Sequence, residues 1–158
     1  MAEQRSLVNI SSCVIHDPEL AEGYGSYAVS KIAFTSFVQF LATEVPVEEI
    51  QIVSIHPGGI YTEGLQDMCA KGSWSWDDGA YNSFHINVEC LTVLIMTYSL
   101  VSLPGNFIVW ASSPGAAFLH GRFVWASWDI TELQKLFSSH RDPEELKHLL
   151  KIHVNGLE

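Results

Sequence analysis

The chain has 158 residues, 47% of them apolar and 16% charged, the balance of one globular domain with a real core rather than of a disordered segment. Eighteen acidic against eight basic side chains leave a formal net charge of −10, which repels phosphate backbones and anionic surfaces and excludes nucleic acid as the expected partner. Cys13, Cys69 and Cys90 are an odd number without the spacing of a zinc site or a disulfide framework, so a reducing, cytoplasmic compartment is expected and a metal centre is not.

"MAEQRSLVNISS" lacks an apolar run of signal-peptide length, and secretion is not expected. Within it "SLVNIS" (6–11) reads as a short buried strand, followed by a polar loop with His16, Asp17 and Pro18. From Tyr24 to Glu44 the pattern changes: Ala28, Ile32, Phe34, Val38 and Leu41 recur with helical spacing until Pro46, which predicts a helix of roughly five turns. "IQIVSI" (50–55) is a second strand, halted by "HPGG". Strand, long helix, strand is a βαβ unit, and its two strands should lie parallel.

Beyond Gly58 come a loop, a short polar helix and a stretch without clean period. No Asp, Glu, Lys or Arg occurs from Cys90 to Gly121, yet the apolar run "CLTVLIMTYSLVSL" has 14 residues before Pro104, short of the ~20 that a membrane helix needs. A membrane span is therefore not expected. "GNFIVWAS" predicts another helix and "RFVWASW" (122–128) a last strand, while "ITELQKLF" and "PEELKHLLKI" predict a charged, helical surface tail.

Chemistry concentrates near the long helix. Tyr27 and Lys31 are spaced i, i+4 and share a helix face, whereas the residue four after Tyr24 is Ala28. A phenol is a poor base at neutrality, and a lysine cation beside it favours the phenolate, so the pair makes a proton donor and acceptor. Ser12, at the C-terminal end of the first strand, faces the crevice where ligands of open α/β sheets bind and can hydrogen-bond a carbonyl oxygen.

The order strand, serine, Tyr-x-x-x-Lys, helix, strand, Pro-Gly resembles the classical short-chain dehydrogenases/reductases. "VNISS" looks like the strand ending in their catalytic serine, "YAVSK" matches their Tyr-x-x-x-Lys motif, and "IHPGGIYT" matches their Pro-Gly-x-x-x-Thr loop. "GRFVWASWD" resembles the last strand of a branch of the family. The resemblance implies that Ser12 polarises the substrate carbonyl, that Tyr27 is the general acid/base, and that Lys31 supports the phenolate and holds the nicotinamide ribose. Tyr27 and Lys31 thereby also belong to the cofactor site, with Pro57, Gly58, Ile60 and Thr62 at the nicotinamide end of NADP or NAD. Small carbonyl or alcohol substrates are implied, and association of two copies through the 24–44 helix. His56 is read as a support beside the site rather than as its base.

The expected fold class is α/β, a Rossmann-type parallel sheet with flanking helices, truncated at its N-terminal side. The family's first strands and glycine-rich turn precede its catalytic serine, whereas eleven residues precede Ser12 here, and no G-x-G-x-x-G occurs in the chain. Residues 1–135 are expected to form the partial NAD(P)-binding domain, with an atypical insertion at about 79–102 that reads as a translated intron, and 136–158 a helical tail. Two classes of function follow as expectations: an NAD(P)-dependent oxidoreductase, or a catalytically inactive truncated fragment or partner-dependent interaction module.

Overall fold

The computed structural model describes residues 5–16, 18–60, 102–139 and 146–152. Strand β1 (Arg5–Ile10), helix α1 (Gly25–Glu44) and strand β2 (Ile50–His56) form the expected βαβ unit, with β1 and β2 parallel in the register Arg5↔Ile50 to Ile10↔Ile55. Helix α2 (Ser102–Ala111), strand β3 (Arg122–Trp125) and helix α3 (Ile130–Ser139) follow. β3 pairs parallel to β2, giving the sheet order β1-β2-β3 among the described strands, a Rossmann-like arrangement with flanking helices.

β2 is buried along its length because it is the middle strand, and Ile52, Val53 and Ile55 carry its apolar weight. Around it Phe107, Ala111, Ala116, Leu119, Val124, Ala126 and Leu133 close one core. Gln51, buried in β2, donates through Nε2 to the Ala111 carbonyl at the end of α2, which fixes that helix against the sheet.

Several expected elements differ in extent. α2 begins three residues before "GNFIVWAS", with Pro104 in its first turn, where the amide that proline lacks has no intrahelical partner anyway. β3 ends at Trp125: Ala126 N–H still bonds across to His56 O at 2.9 Å, and the chain then turns, with Trp128 N–H donating to Trp125 O at 3.1 Å. The loop at His16 holds two short 3-10 turns, Cys13–Ile15 and Pro18–Ala21. In the tail, α3 takes the place of "ITELQKLF", and Leu146–Lys147 are helical. From His148 the chain turns instead of continuing as a helix, with Leu150 at φ 57°. The reason lies in its partners: the Leu150 carbonyl accepts from Phe123 N–H at 2.7 Å, and Arg122 donates to the Leu146 and Leu149 carbonyls, so this segment is bound to the start of β3.

The buried face of α1 is narrower than its apolar pattern. Ala28, Thr35 and Val38 are buried, while Ile32 and Phe34, two of the apolar residues whose spacing predicts the helix, are exposed. The helix is apolar nearly all round, so the apolar spacing alone did not select the inward face. The run 90–101 and most of the 79–102 segment lie outside the described residues, as do Cys69 and Cys90. No helix among the described residues is long and apolar enough to cross a membrane.

Candidate active site

β1 and β2 end at the same edge of the sheet, and the ladder runs one residue past β1, with Ser11 N–H donating to Ile55 O at 2.8 Å. The exits of both strands therefore meet at their C-terminal ends, the usual ligand side of a parallel sheet.

The two serines have different duties there. Asn9 Nδ2 donates to Thr35 Oγ1 at 3.1 Å and to Ser54 Oγ at 3.0 Å, and Ser11 Oγ lies 2.6 Å from Thr35 Oγ1. All four residues are buried, so this network locks β1, α1 and β2 together and commits the Ser11 hydroxyl to the interior. Ser12 is the N-cap of the Cys13–Ile15 turn, in extended conformation, and its Oγ accepts from Val14 N–H at 3.5 Å. That long contact uses a lone pair and leaves the Ser12 O–H to donate.

α1 starts where Gly23, at φ +76°, turns the chain in the left-handed region that favours glycine, and Tyr24 N–H donates to Ala21 O at 2.8 Å. Tyr27 then falls in the first turn of α1, 46% exposed. One turn on, Lys31 Nζ donates to Ile10 O at 2.8 Å and stands 5.6 Å from the centroid of the Tyr27 ring. One ammonium thus joins the tyrosine to the end of β1, two residues before Ser12.

After β2 comes Pro57-Gly58-Gly59-Ile60, half-buried, with Gly58 at φ +91°. Its place beside the exit of β1 puts its backbone at the same edge as Ser12. Thr62 lies outside the described residues. Of the expected site, the structure gathers Ser12, Tyr27, Lys31 and residues 57–60 at one end of the sheet.

His56, the last residue of β2, is buried, and its Nδ1 accepts from Cys13 N–H at 3.3 Å. Burial, and to a lesser degree the neighbouring His16 charge, pushes its pKa down from 6.5 to about 4. It is neutral at pH 7, with the proton on Nε2, which has no hydrogen-bond partner among the described residues. Its ring meets Trp125, its partner in the β2–β3 register, edge to face at 4.5 Å. Such a group is too weak a base to take a proton at neutral pH.

Sequence reading missed Asn9, Thr35 and Ser54. Their signal was present: Thr35 stands two turns after Ala28 on one helix face, and Asn9 is a polar residue inside an apolar strand.

The sequence profile of the short chain dehydrogenase family matches residues 1–71, the span that holds Ser12, Tyr27, Lys31 and the Pro57 loop. The short chain dehydrogenase/reductase nsrO of Aspergillus novofumigatus is 34% identical over 136 residues, covering 82% of this chain and 38% of that protein. AacuD of Aspergillus aculeatus, a short chain dehydrogenase/reductase, is 29% identical over 133 residues, covering 84% and 38%. A short chain dehydrogenase/reductase of Claviceps purpurea is 29% identical over 136 residues, covering 85% and 38%. The chain therefore spans about 38% of the length of these relatives.

Proposed function

We propose, from the premise that this chain belongs to the short-chain dehydrogenase/reductase family, that it serves NAD(P)-dependent oxidoreduction of a small carbonyl or alcohol substrate. The observation that carries the reading is the double reach of Lys31, to the Ile10 carbonyl and over the Tyr27 ring, which brings the tyrosine to the strand end bearing Ser12.

In the direction of carbonyl reduction, Ser12 O–H donates a hydrogen bond to the carbonyl oxygen and holds it for protonation. Tyr27 gives its phenolic proton to that oxygen as negative charge develops there, and Lys31 offers positive charge to the phenolate left behind. The partial exposure of Tyr27 suits a group that must meet a substrate and then be reprotonated from solvent.

The residues fit the nicotinamide end of NADP or NAD. Lys31 presents an ammonium for ribose hydroxyls, and the half-buried backbone of Pro57, Gly58 and Ile60 leaves β2 at the same end of the sheet, with Gly58 in the left-handed conformation that favours glycine. When bound, the nicotinamide supplies or takes the hydride. Thr62 belongs to the same set by its motif.

A second reading, association of two copies through α1, is favoured by the outward face of that helix. Val29, Phe34, Phe37 and Phe40 are exposed there, Phe40 to 70%, an apolar strip of the kind that marks a protein contact. An inactive chain that only associates would keep this face and lack the cofactor site.

The deciding experiment is a fluorescence titration of the purified chain with NADPH and NADH, read beside its elution size. Saturable binding in the range of ~1–100 μM supports the oxidoreductase reading. Association without cofactor binding supports the interaction module.

A further inference from the structure

We propose that His56 is the positioning residue of Ser12: by accepting the Cys13 amide on Nδ1 it pins the turn whose first residue carries the Ser12 hydroxyl. The inference rests on the reading of Ser12 as the group that binds the substrate oxygen.

Beyond Ser11 the regular ladder between β1 and β2 ends, since the chain turns into Cys13–Ile15. Within that turn the backbone bonds are local, Ile15 N–H to Ser12 O at 3.3 Å and His16 N–H to Cys13 O at 3.0 Å. These shape the turn without fixing it to β2. The Cys13 N–H bond to His56 Nδ1, at 3.3 Å, crosses from the first residue after Ser12 to the last residue of β2. It takes the place of the next ladder bond, with a ring nitrogen standing where a backbone carbonyl would stand.

The ring is itself held on its other side. Trp125 packs edge to face against it at 4.5 Å, and Ala126 N–H donates to the His56 carbonyl at 2.9 Å. His16, at the end of the same turn, packs its ring edge to face on Phe123 of β3 at 4.6 Å. β3 thus backs His56, and His56 backs Ser12. A buried ring with one nitrogen unprotonated meets the need for an acceptor that neither moves nor carries charge. The same nitrogen does not reach the reacting oxygen in this account; its effect on turnover passes through Ser12.

Two measurements on the 158-residue chain test the pin directly. Long-range proton–nitrogen NMR at neutral pH should show His56 as the Nε2–H tautomer, and the Nδ1–H tautomer would overturn the proposal without any variant. Amide exchange should show Cys13 N–H exchanging ~10-fold faster or more in His56→Leu. In His56→Asn, whose Oδ1 can stand where Nδ1 stood, it should return to within ~3-fold of the parent. The Ser11 amide, bonded to Ile55, is the control and should stay protected in all three. Unchanged Cys13 exchange in a folded His56→Leu chain overturns the pin.

Turnover supplies the third readout. His56→Leu should lower kcat on the order of 10- to 100-fold with cofactor affinity unchanged, since only the placement of Ser12 is lost. His56→Asn should recover most of it. Equal kcat in parent and His56→Leu refutes the link to Ser12. A parent chain without turnover counts against the oxidoreductase reading, while the tautomer and exchange results still decide the pin.

Discussion

Ser11 Oγ and Thr35 Oγ1 lie 2.6 Å apart inside the protein, so of two adjacent serines Ser11 belongs to the fold, which leaves Ser12 as the candidate for the site. Ser11→Ala should lower stability by about 1–3 kcal/mol through the loss of a buried hydrogen bond, and leave kcat nearly unchanged where the chain stays folded. Ser12→Ala should do the reverse. Urea midpoints beside turnover separate the two, and the opposite pattern would assign the catalytic hydroxyl to Ser11.

Tyr27→Phe removes the transferable proton from a half-exposed ring. The expected loss of turnover is ~100- to 10,000-fold, with NADPH binding roughly intact. Lys31→Met should reduce turnover and also weaken cofactor binding, because it removes both the charge beside the phenol and the donor to Ile10 O. Near-normal turnover of Tyr27→Phe would rule this tyrosine out as the acid.

Acid should unfold the protein in part through His56. In the unfolded chain this histidine takes up a proton near its ordinary 6.5, whereas burial holds the folded value at about 4. Between those values the unfolded state binds the extra proton. The stability contributed by neutral burial is therefore complete above 6.5 and falls as pH drops towards 4, by roughly 3 kcal/mol in all. His16, also pushed down by burial, adds a loss of the same sign. Urea midpoints measured from about pH 7.5 down to about pH 4.5 should fall in the parent and fall less in His56→Asn. A flat parent profile contradicts the buried neutral histidine.

The end of α1 depends on two neighbours in the chain. His120 Nδ1 accepts from Ile52 N–H at 3.2 Å, so its Nε2 carries the proton and donates to the Ala42 and Val45 carbonyls at 3.1 and 3.0 Å. Gly121 sits at φ +71°, and a Cβ added there would lie 3.0 Å from Ala42 Cβ. Gly121→Ala should destabilise by about 1–3 kcal/mol, combining backbone strain with the close approach. His120→Leu should cost about 1–3 kcal/mol by orphaning the Ile52 amide. Thermal unfolding of both variants checks this; a neutral Gly121→Ala would mean that the turn relaxes freely.

The outward face of α1 predicts an effect on assembly. Phe37→Glu with Phe40→Glu should shift elution towards a single chain while leaving far-ultraviolet circular dichroism unchanged, since both rings are exposed. Unaltered elution size would locate the contact elsewhere.

The βαβ unit and the end of the sheet that gathers the candidate site were legible because each rests on a local signal: apolar strands, a long uninterrupted helix, and the Tyr27/Lys31 spacing. The inward face of α1 was not, since Ile32, Phe34, Phe37 and Phe40 are as apolar as the side that is buried. Nor was the tail at 148–152, whose shape is set by distant donor groups on Phe123 and Arg122 rather than by its own helical composition. The Asn9–Thr35–Ser11 network and the Cys13–His56 bond join residues 24 to 43 positions apart, so the sequence marks Asn9 and Thr35 as polar residues on inward faces but not which groups they pair with.

The bonds from Asn9 to Thr35 and Ser54 begin and end within the βαβ unit. The stretch that carries Ser12, Tyr27 and Lys31 therefore brings most of its own jig, a βαβ cassette whose spacing is set from within, to which the neighbouring β3 adds only the backing of His56.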